Sequence, residues 1–413
     1  MDKYLRESLR HNFVVNIVDG AFFGFALGFA SFVTVIPLFV NQITDSAVLI
    51  GLIPAIHNVG WQLPQLLTAD RVARLSRYKP MTVFMTGHER LPFLGLAIVA
   101  LCLPKLPREA ALVVTFLLLI WQGLGSGFAA TAWQSMIAKV IPAERRGTFF
   151  GLQSSAANLL ASVSAVSAGV LLERLALSLN FAVCFALAFL AMLISWGFLA
   201  WTREPTSPPI AAAAGHSDFR ESVMAILRRD VNFRWFLVVR MLFQLATMAF
   251  AFYTVYAVRQ HGVSAMRAGL MTSVLMGVQI VASPVMGWVG DRHSHRVVME
   301  IGAGVAMLSA CLAWVLPSAD WFYIVFILAG IANVAAWTIT MTMTIDFARD
   351  PAERPAYVGL ANTLVAPVTI VAPLVGGWLA DMAGYPATFF AASVGGLATV
   401  LVLHFLIRDP RKS

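Results

Sequence analysis

Residues 142–152 read PAERRGTFFGL, and residues 351–360 read PAERPAYVGL. Shorter matches recur in the same order in the two parts of the chain that contain these segments. They are Asn12-Phe13 and Asn232-Phe233, Thr34-Val35 and Thr254-Val255, Ser46-Ala47 and Ser264-Ala265, Gly51-Leu52 and Gly269-Leu270, Asp70-Arg71 and Asp291-Arg292, and Trp133 and Trp337. One such match could arise by chance, but a whole ordered series indicates an internal duplication. We therefore predict two copies of one structural unit.

The composition of the chain is that of a membrane protein. Of its 413 residues, 59% are hydrophobic and only 12% are charged, and the mean hydropathy is +0.78. An ordinary soluble domain is much less apolar. A membrane-spanning helix needs about 20 mainly apolar residues, and twelve segments meet this need. They are residues 12–40, 47–69, 81–103, 111–138, 148–172, 178–201, 233–258, 265–289, 297–316, 321–345, 357–380 and 386–407.

The longest hydrophilic stretch, residues 202–231, separates the two copies. Asp218, followed three residues later by Glu221, is typical of a helix start, and an apolar face follows it. That face consists of Phe219, Val223, Ile226 and Leu227. We predict an all-α membrane protein of 12 transmembrane helices in two pseudo-symmetric six-helix bundles. The bundles are residues 1–201 and 232–413, joined by a cytoplasmic linker that carries a short amphipathic helix.

Basic residues indicate how the chain is oriented in the membrane. Lys and Arg are retained on the cytoplasmic side during insertion, and most of the 29 Lys and Arg residues lie before the first span, in every second loop and after the last span. Both termini are therefore predicted to be cytoplasmic, and we expect a bacterial inner membrane. The net charge of +8 lies in short loops at one face, which favours membrane lipids over nucleic acid as its partner.

Several chemistries have no support in the sequence. Cys102, Cys184 and Cys311 are scattered within the predicted spans, which argues against a disulfide framework or a metal site. The chain also lacks the phosphate-binding loop of ATP-driven pumps and the short motifs of zinc proteases and serine hydrolases. We therefore expect no metal, no cofactor and no enzymatic activity, and we expect a monomer.

The loop after the second span of each half carries the most specific motif. The second copy reads Gly287-Trp288-Val289-Gly290-Asp291-Arg292, and the first copy has Asp70-Arg71. Further basic residues follow at Arg74, Arg77, Lys79 and Arg296. With twelve spans in two halves, this pattern resembles the major facilitator superfamily over essentially the whole chain. The resemblance implies a cytoplasmic gate, in which the aspartate at the end of a span holds a nearby Arg or a helix N-terminus. Its residues are Asp70, Arg71, Arg74, Arg77, Asp291 and Arg292; a simple positive-inside anchor is the alternative.

The first copy departs from the family pattern. Leu66 stands where the family usually has glycine, so we expect its loop to be less tightly turned. Leu119 stands where an arginine assists proton coupling in some members, three residues before Gln122-Gly123. The fifth span also lacks the Gly-Pro-x-x-Gly-Gly motif of drug/proton antiporters, which weakens that assignment.

Charged residues inside the predicted spans are few. Asp19 lies in span 1, and Arg240 occupies nearly the matching position in span 7. Because a charge inside a bilayer is costly and the resemblance implies that both spans line a central cavity, we hypothesise that Asp19 binds the coupling proton or a cationic substrate and that Arg240 controls its loading. The alternatives are a permanent Asp19–Arg240 ion pair and an Arg240 that reaches the membrane interface. His88 and Glu89 in span 3 are secondary proton candidates, with structural pairing as their alternative.

Uncharged polar residues mark the faces of several spans. Those of spans 2 and 5 are predicted to join helices, whereas those of spans 4, 7 and 10 are predicted to line the cavity. The cavity candidates are Gln122, Gln134, Gln244, Asn333 and Trp337. Aromatic residues are frequent in the same region, and an aromatic cavity with few charges suits a small amphiphilic solute.

These patterns predict a secondary active transporter that works by alternating access. We expect a proton gradient to drive it and a small amphiphilic solute to be its substrate, with efflux favoured over uptake. Two alternatives stay open on the same fold. One is a lipid flippase or lipid-handling protein, and the other is a facilitative uniporter.

Overall fold

The computed structural model describes residues 3–44, 46–177, 179–206, 219–263, 265–315 and 318–411. Within these ranges the chain is α-helical and contains no β-strand. The helices before the linker are α1 Lys3–Phe29, α2 Val35–Asn41, α3 Ala47–Gln62, α4 Gln65–Ala73, α5 Lys79–Cys102, α6 Arg108–Val140, α7 Arg146–Arg174 and α8 Leu179–Ala200. The later helices are α9 Phe219–Arg229, α10 Val231–Thr247, α11 Phe250–His261, α12 Ala265–Arg292, α13 His295–Val315, α14 Phe322–Val334, α15 Thr340–Phe347, α16 Arg354–Ala383 and α17 Tyr385–Leu406.

The described part of the chain contains eleven helices that are long and apolar enough to cross a membrane. Many of their large apolar side chains are exposed, such as Val166 at 71% and Phe405 at 73%, as expected for side chains that face lipid. The predicted span at residues 47–69 is divided between α3 and α4, which meet at Leu63 and Pro64. Proline has no N–H to donate, which removes a helical hydrogen bond at this position and favours a break or kink there. The all-helical, multi-pass fold class is confirmed.

Two further spans predicted as continuous helices are also broken. The span predicted at residues 12–40 ends as α1 and resumes as α2, and the hydroxyl of Ser31 accepts hydrogen bonds from the N–H groups of Val33 and Thr34 in the break. The span predicted at 233–258 is divided between α10 and α11. Hydropathy does not reveal such breaks, because the residues on both sides of each break are apolar.

The chain forms two compact units. The first contains residues 1–141, 156–213 and 350–363, and the second contains residues 142–155, 214–349 and 364–413. Each unit thus includes a short segment from the other half of the sequence. We call residues 142–155 and 350–363 the exchanged segments; they contain the two copies of the PAER motif. The division of the sequence at residues 202–231 stays a prediction.

Each unit has its own aromatic core. In the first unit, the ring of Phe39 lies 5.4 Å from that of Phe181 and 5.3 Å from that of Phe185. In the second, the ring of Phe389 lies 5.5 Å from that of Tyr253 and 5.0 Å from that of Tyr256. Aromatic rings at these separations contribute packing energy beyond the area that they bury.

The predicted amphipathic helix of the linker corresponds to α9. Ile226 is buried on one side of α9, with Val223 and Leu227 half-buried beside it. Asp218 and the side chains of Phe219 and Glu221 lie outside the described residues. Asp230 is the N-cap of the following helix, α10, and its carboxylate accepts a hydrogen bond from the N–H of Phe233 at 2.8 Å.

The duplicated Asn-Phe pairs make the same contacts in the two units. The amide of Asn12 donates to the carbonyl of Arg203 and accepts from its N–H, both at 2.8 Å. The amide of Asn232 forms the same pair of bonds with Arg408, at 2.8 and 2.9 Å. Each asparagine therefore joins the first long helix of its half to the chain that leaves the last one, a detail that supports the internal duplication.

We expect Asn12→Ala to lower the melting temperature of the purified protein more than Asn232→Ala. The first change removes the asparagine partner of the backbone N–H and carbonyl of Arg203, and the second does the same at Arg408. Such a loss costs about 1–3 kcal/mol where water is excluded. Asn12 is fully buried, whereas Asn232 is half-exposed. Thermal unfolding in detergent measures the difference, with Val14→Ala on the exposed side of α1 as the control. Equal melting of Asn12→Ala and wild type would contradict the expectation.

Candidate functional site

The first unit contains a buried group of charged residues within its spans. Asp19 is on α1, Glu89 and Arg90 are on α5, and Ser195 is on α8. The hydroxyl of Ser195 donates to the carboxylate of Asp19 at 2.6 Å, and Arg90 Nη2 lies 3.5 Å from the same oxygen. On its other side, Arg90 Nη1 lies 3.5 Å from Glu89 Oε2. We call these four residues the acid–arginine cluster.

The packing of three helices holds Arg90 in place. Its Nη1 donates to the carbonyl of Thr86, its Nε donates to the carbonyl of Met192 and its Nη2 donates to Ser195 Oγ. The guanidinium also lies 5.9 Å from the centre of the Phe23 ring, within the range of a cation–π contact. These contacts fix a positive charge between the two acids.

The structure gives Asp19 a counter-charge that the sequence does not predict. The sequence links Asp19 with Arg240, because the two occupy nearly matching positions in the two halves, and that link stays a prediction. Within the first unit, Arg90 on the neighbouring helix α5 supplies a counter-charge to Asp19. Consecutive residues point about 100° apart on a helix, but the arginine side chain is long enough to reach both Asp19 and Glu89. The sequence does contain a signal for this contact. Each buried charge needs a partner, and the spans contain so few charges that Arg90 is a candidate partner for Asp19.

The structure separates the two secondary proton candidates. Glu89 contacts Arg90 and hydrogen-bonds with the side chain of Ser126 on α6. His88, the preceding residue, is half-buried and accepts a hydrogen bond from Trp121 Nε1 at 3.3 Å. Only Glu89 therefore belongs to the acid–arginine cluster.

The two cavity candidates on α6 are buried amides. Gln122 Oε1 lies 3.0 Å from Nδ1 of His57 on α3, and the His57 ring stacks on Phe32 with their centres 4.0 Å apart. Neither Gln122 Nε2 nor Gln134 Nε2 has a hydrogen-bond partner among the residues that the structure describes. A buried donor without a partner is costly, so these amides are suited to bind a polar group of a solute or a water molecule.

The remaining cavity candidates belong to the second unit. Arg240 and Gln244 are half-buried on α10, four residues apart and therefore on one face. Asn333 is the last residue but one of α14, and Trp337, which is 42% exposed, lies in a π-helical turn at Ala335–Ile339. Turns of this kind widen a helix locally and occur frequently at functional sites.

In the second unit, Asp291 caps a helix. At the end of α12 it accepts hydrogen bonds from the N–H of Gly147 at 2.8 Å and of Thr148 at 2.6 Å. These N–H groups open α7, where the helix dipole and the free N–H groups favour a negative charge. We call this contact the α7 cap. Gly147 and Thr148 belong to the first exchanged segment. Further along this segment, Ser154 hydrogen-bonds to Thr338 Oγ1 and Ser155 hydrogen-bonds to the carbonyl of Ile280.

His295, which the sequence places in a basic loop where a solvated ring is expected, is instead buried and supports the α7 cap. His295 Nε2 lies 3.3 Å from Asp291, and its Nδ1 lies 2.8 Å from Asp346. Arg146 Nη1 lies 3.7 Å from the other oxygen of Asp346. Carboxylates that alternate with a histidine and an arginine thus connect the starts of α7 and α13 to the ends of α12 and α15. The distance in sequence between these residues hides the group from motif analysis.

The first copy of the loop motif is arranged differently. Asp70 is bound by Arg74 of the next helical turn at 2.9 Å, and both side chains are exposed, as is Arg71. Arg77 donates to Thr206 Oγ1, and Arg292 of the second copy lies over the ring of Trp288. The six predicted gate residues therefore do not make one kind of contact.

The second exchanged segment is held by residues that precede Asp70. The hydroxyl of Thr363 accepts from the N–H of Leu66 at 3.2 Å, and the amide of Asn362 donates to Gln65 Oε1 at 2.6 Å. Gly359 lies against Leu66, at a point where an added Cβ would be 3.0 Å from the Leu66 Cα. The sequence predicts none of these contacts, because each depends on packing between distant parts of the chain.

Comparison with known proteins gives a family match and partial relatives. The family model of the Major Facilitator Superfamily matches residues 90–264 and 241–413. Protein spinster of Drosophila melanogaster is 30% identical over 79 residues, which are 19% of this chain and 13% of that protein. Multidrug resistance protein 1 of Bacillus subtilis is 27% identical over 147 residues, 35% of this chain and 37% of that protein. The matched part of the chain thus covers 13% of the length of the first relative and 37% of the length of the second.

Solved structures match nearly the whole chain. The E. coli fucose:proton symporter aligns with a TM-score of 0.76 at 14% identity, covering 96% of this chain and 98% of that one. A proton:xylose symporter aligns with a TM-score of 0.73 at 14% identity, covering 98% and 97%. At this identity the likeness shows the fold alone. Because the family model extends over more than half of its length, this multi-pass membrane protein belongs to the Major Facilitator Superfamily of transporters.

Proposed function

We propose that this protein moves a small amphiphilic solute across the membrane by alternating access, driven by a proton gradient, with efflux as the preferred direction. Both termini face the cytoplasm in this proposal, as the basic loops predict, and the membrane is a bacterial inner membrane. Gln122, Gln134, Gln244, Asn333 and Trp337 are proposed to line the solute cavity. Asp19 is proposed to bind the coupling proton, and Arg240 to influence its loading.

The observation that carries the alternating-access proposal is the pair of exchanged segments. Residues 142–155 bind the second unit through the α7 cap, and residues 350–363 bind the first unit through Asn362 and Thr363. The segments also bury apolar side chains, among them Phe149 and Phe150 in the first and Tyr357 and Leu360 in the second. We propose that the contacts form and break as the transporter changes state, with the α7 cap as the principal element of the cytoplasmic gate.

The substrate and the driving force are inferred from the buried side chains and from one partial relative. Aromatic side chains, together with two buried amides whose Nε2 groups have no partner in the described part of the chain, suit a solute that is partly apolar and partly polar. The partial similarity to a multidrug resistance protein supports efflux of such a solute. Buried acids within the spans support proton coupling, because a carboxyl group in a span can bind and release a proton.

The proposal is tested with purified protein and a panel of small amphiphiles. A ligand is expected to raise the melting temperature, because a molecule that binds only the folded state stabilises it. The best ligand is then added to proteoliposomes that contain a pH-sensitive dye. Proton movement on its addition supports coupled transport. Ligand transport without pH change indicates a uniporter, and lipid scrambling without any stabilising ligand would contradict the proposed substrate class.

Asp291→Asn is expected to weaken the α7 cap. The change removes the negative charge from the helix N-terminus and leaves a single acceptor oxygen for two N–H groups. Loss of such a cap costs about 0.5–2 kcal/mol, and about 1.4 kcal/mol shifts a two-state equilibrium tenfold. Spin labels on cysteines that replace the exposed residues Glu144 and Arg292 measure the separation of α7 from α12. In the variant we expect a second population of molecules, in which the distance between the two spin labels is longer than in the wild type.

The control for this measurement is Asp70→Asn. Its exposed carboxylate binds Arg74 on the same helix, and an exposed pair contributes about 0–1 kcal/mol. The spin-label distance is therefore expected to match that of the wild type. If both variants give the wild-type distance, Asp291 has no part in gating.

A further inference from the structure

The acid–arginine cluster has an unbalanced set of charges. It contains the carboxylates of Asp19 and Glu89 but only the single guanidinium of Arg90. The side chains of both acids are 7% exposed and that of Arg90 is 4% exposed. With both acids ionised, the cluster carries a net charge of −1. An uncompensated buried charge costs several kcal/mol, and one bound proton removes it.

The helices around the cluster supply no further positive charge. Helix α8 contains no acidic or basic residue and contributes the hydroxyl of Ser195 and a backbone carbonyl. Helix α6 contributes Ser126, and its charged residues lie at its ends. They are Arg108, Glu109 and Lys139.

The helices that carry the acids add none either. On α1, Asp19 is the only ionisable residue after His11. On α5, the other ionisable residues within the span are His88, whose ring is hydrogen-bonded to Trp121, and the thiol of Cys102 at the far end of the helix. The balance of charges within the cluster is therefore set by Asp19, Glu89 and Arg90.

Arg90 is shared evenly between the two acids. Its distances to Asp19 and Glu89 are both 3.5 Å, longer than the roughly 2.7–2.9 Å of a strong charge-assisted hydrogen bond. Its shorter bonds go to Ser195 Oγ at 2.9 Å and to two backbone carbonyls. Arg90 is thus held by neutral groups, and neither acid has a tight bidentate pair. A proton on either carboxyl leaves the other paired with the same fixed cation.

We propose that Asp19 and Glu89 share one exchangeable proton, which balances the negative charge that Arg90 leaves uncompensated. This cluster, contained in the first unit alone, couples proton movement to transport. The proton forms an O–H bond with one carboxylate oxygen when it binds and leaves as a proton to water when it is released. No other bond is made or broken. This inference rests on the proposed transport function and adds Glu89 and Arg90 to it.

Infrared difference spectroscopy counts the bound proton without a transport substrate. A protonated carboxyl group has a carbonyl absorption that an ionised carboxylate lacks. Wild-type protein in liposomes is expected to show one such absorption that is missing from both Asp19→Asn and Glu89→Gln, because in each variant the remaining acid and Arg90 are already balanced. The wild-type absorption is expected to disappear as the pH is raised.

Changes at Arg90 test the charge balance itself. Arg90→Lys retains the positive charge and is expected to retain the single absorption. Arg90→Gln removes it, so both acids must be protonated and the absorption is expected to double. If Arg90→Gln does not fold, the two acid variants and Arg90→Lys still decide the question. An absorption absent from the wild type, or unchanged in both acid variants, would overturn the shared proton.

The coupling role is tested separately from the proton itself. In proteoliposomes, Glu89→Gln is expected to abolish proton movement on addition of the best amphiphile of the panel, as Asp19→Asn does. Full proton-coupled transport by Glu89→Gln would overturn the coupling role of the cluster. A wild type that moves no amphiphile refutes the proposed function instead, and the infrared result distinguishes the two failures. An absorption that does not change with pH would assign the proton a purely structural role.

Discussion

Asp19→Asn is expected to abolish concentrative transport while the protein still folds and reaches the membrane. Asparagine has nearly the shape of aspartate and can accept the hydrogen bond of Ser195, but it cannot take up a proton. Arg90 remains paired with Glu89, so no buried charge is left alone. Accumulation of the best amphiphile against its gradient, in proteoliposomes with an imposed pH difference, is expected to fall to the level of protein-free liposomes.

The matched control for this change is Ser195→Ala. It removes the 2.6 Å hydrogen bond to the Asp19 carboxylate and the 2.9 Å bond that Arg90 Nη2 donates to Ser195 Oγ, but it keeps all three ionisable side chains of the cluster. Concentrative transport is expected to continue, with a shifted dependence on pH because the ionised form of Asp19 has lost a donor. Facilitated movement down the solute gradient is expected in both variants. Undiminished accumulation by Asp19→Asn would exclude Asp19 from the mechanism.

The all-helical fold was predictable because its signals are local and repeated. Apolar segments of sufficient length identify the spans, and the ordered matches between the halves identify the duplication. The equivalent bonds of Asn12 to Arg203 and of Asn232 to Arg408 show how short matches correspond to structure. The breaks near Ser31 and Pro64 were not predicted as helix ends, because the apolar pattern continues through both.

The partners of buried charges could not be read from the sequence. Asp19 and Arg90 are far apart in the chain, and they meet because α1, α5 and α8 pack together. The same limit applies to His295 and Asp346 beside Asp291. Position in the sequence shows that a charge needs a partner, whereas only the packing of the helices shows which residue provides it.

The two copies of the loop motif differ for a local reason that the sequence contains. The second copy has Gly287 four residues before Asp291, and the first has Leu66 four residues before Asp70. Glycine lets the backbone of α7 approach α12 closely, which brings the N–H groups of Gly147 and Thr148 to Asp291. In the first copy the glycine is on the other helix, at Gly359. Asp70 remains exposed and binds Arg74.

Gly287→Ala is expected to separate α7 from α12 and to break the α7 cap. A Cβ at this position would overlap the carbonyl oxygen of Gly147, which is backbone and cannot rotate away. Overpacking of this kind costs about 1–3 kcal/mol, and the lost cap adds to it. The variant is therefore expected to show the longer spin-label distance between positions 144 and 292 as its main population, with a larger effect than Asp291→Asn.

Gly277→Ala is the control for this effect because it lies on the same helix. A Cβ at Gly277 would meet no atom within 4 Å, and alanine favours a helix over glycine by about 1 kcal/mol. The control is expected to keep the wild-type distance and to melt no lower than the wild type. Gly147→Ala approaches the same contact from α7, where the added Cβ would lie 2.5 Å from the Gly287 carbonyl oxygen, and is expected to reproduce the Gly287→Ala distance. If both glycine variants at the crossing keep the wild-type distance, the close approach of α7 and α12 does not control the cytoplasmic gate.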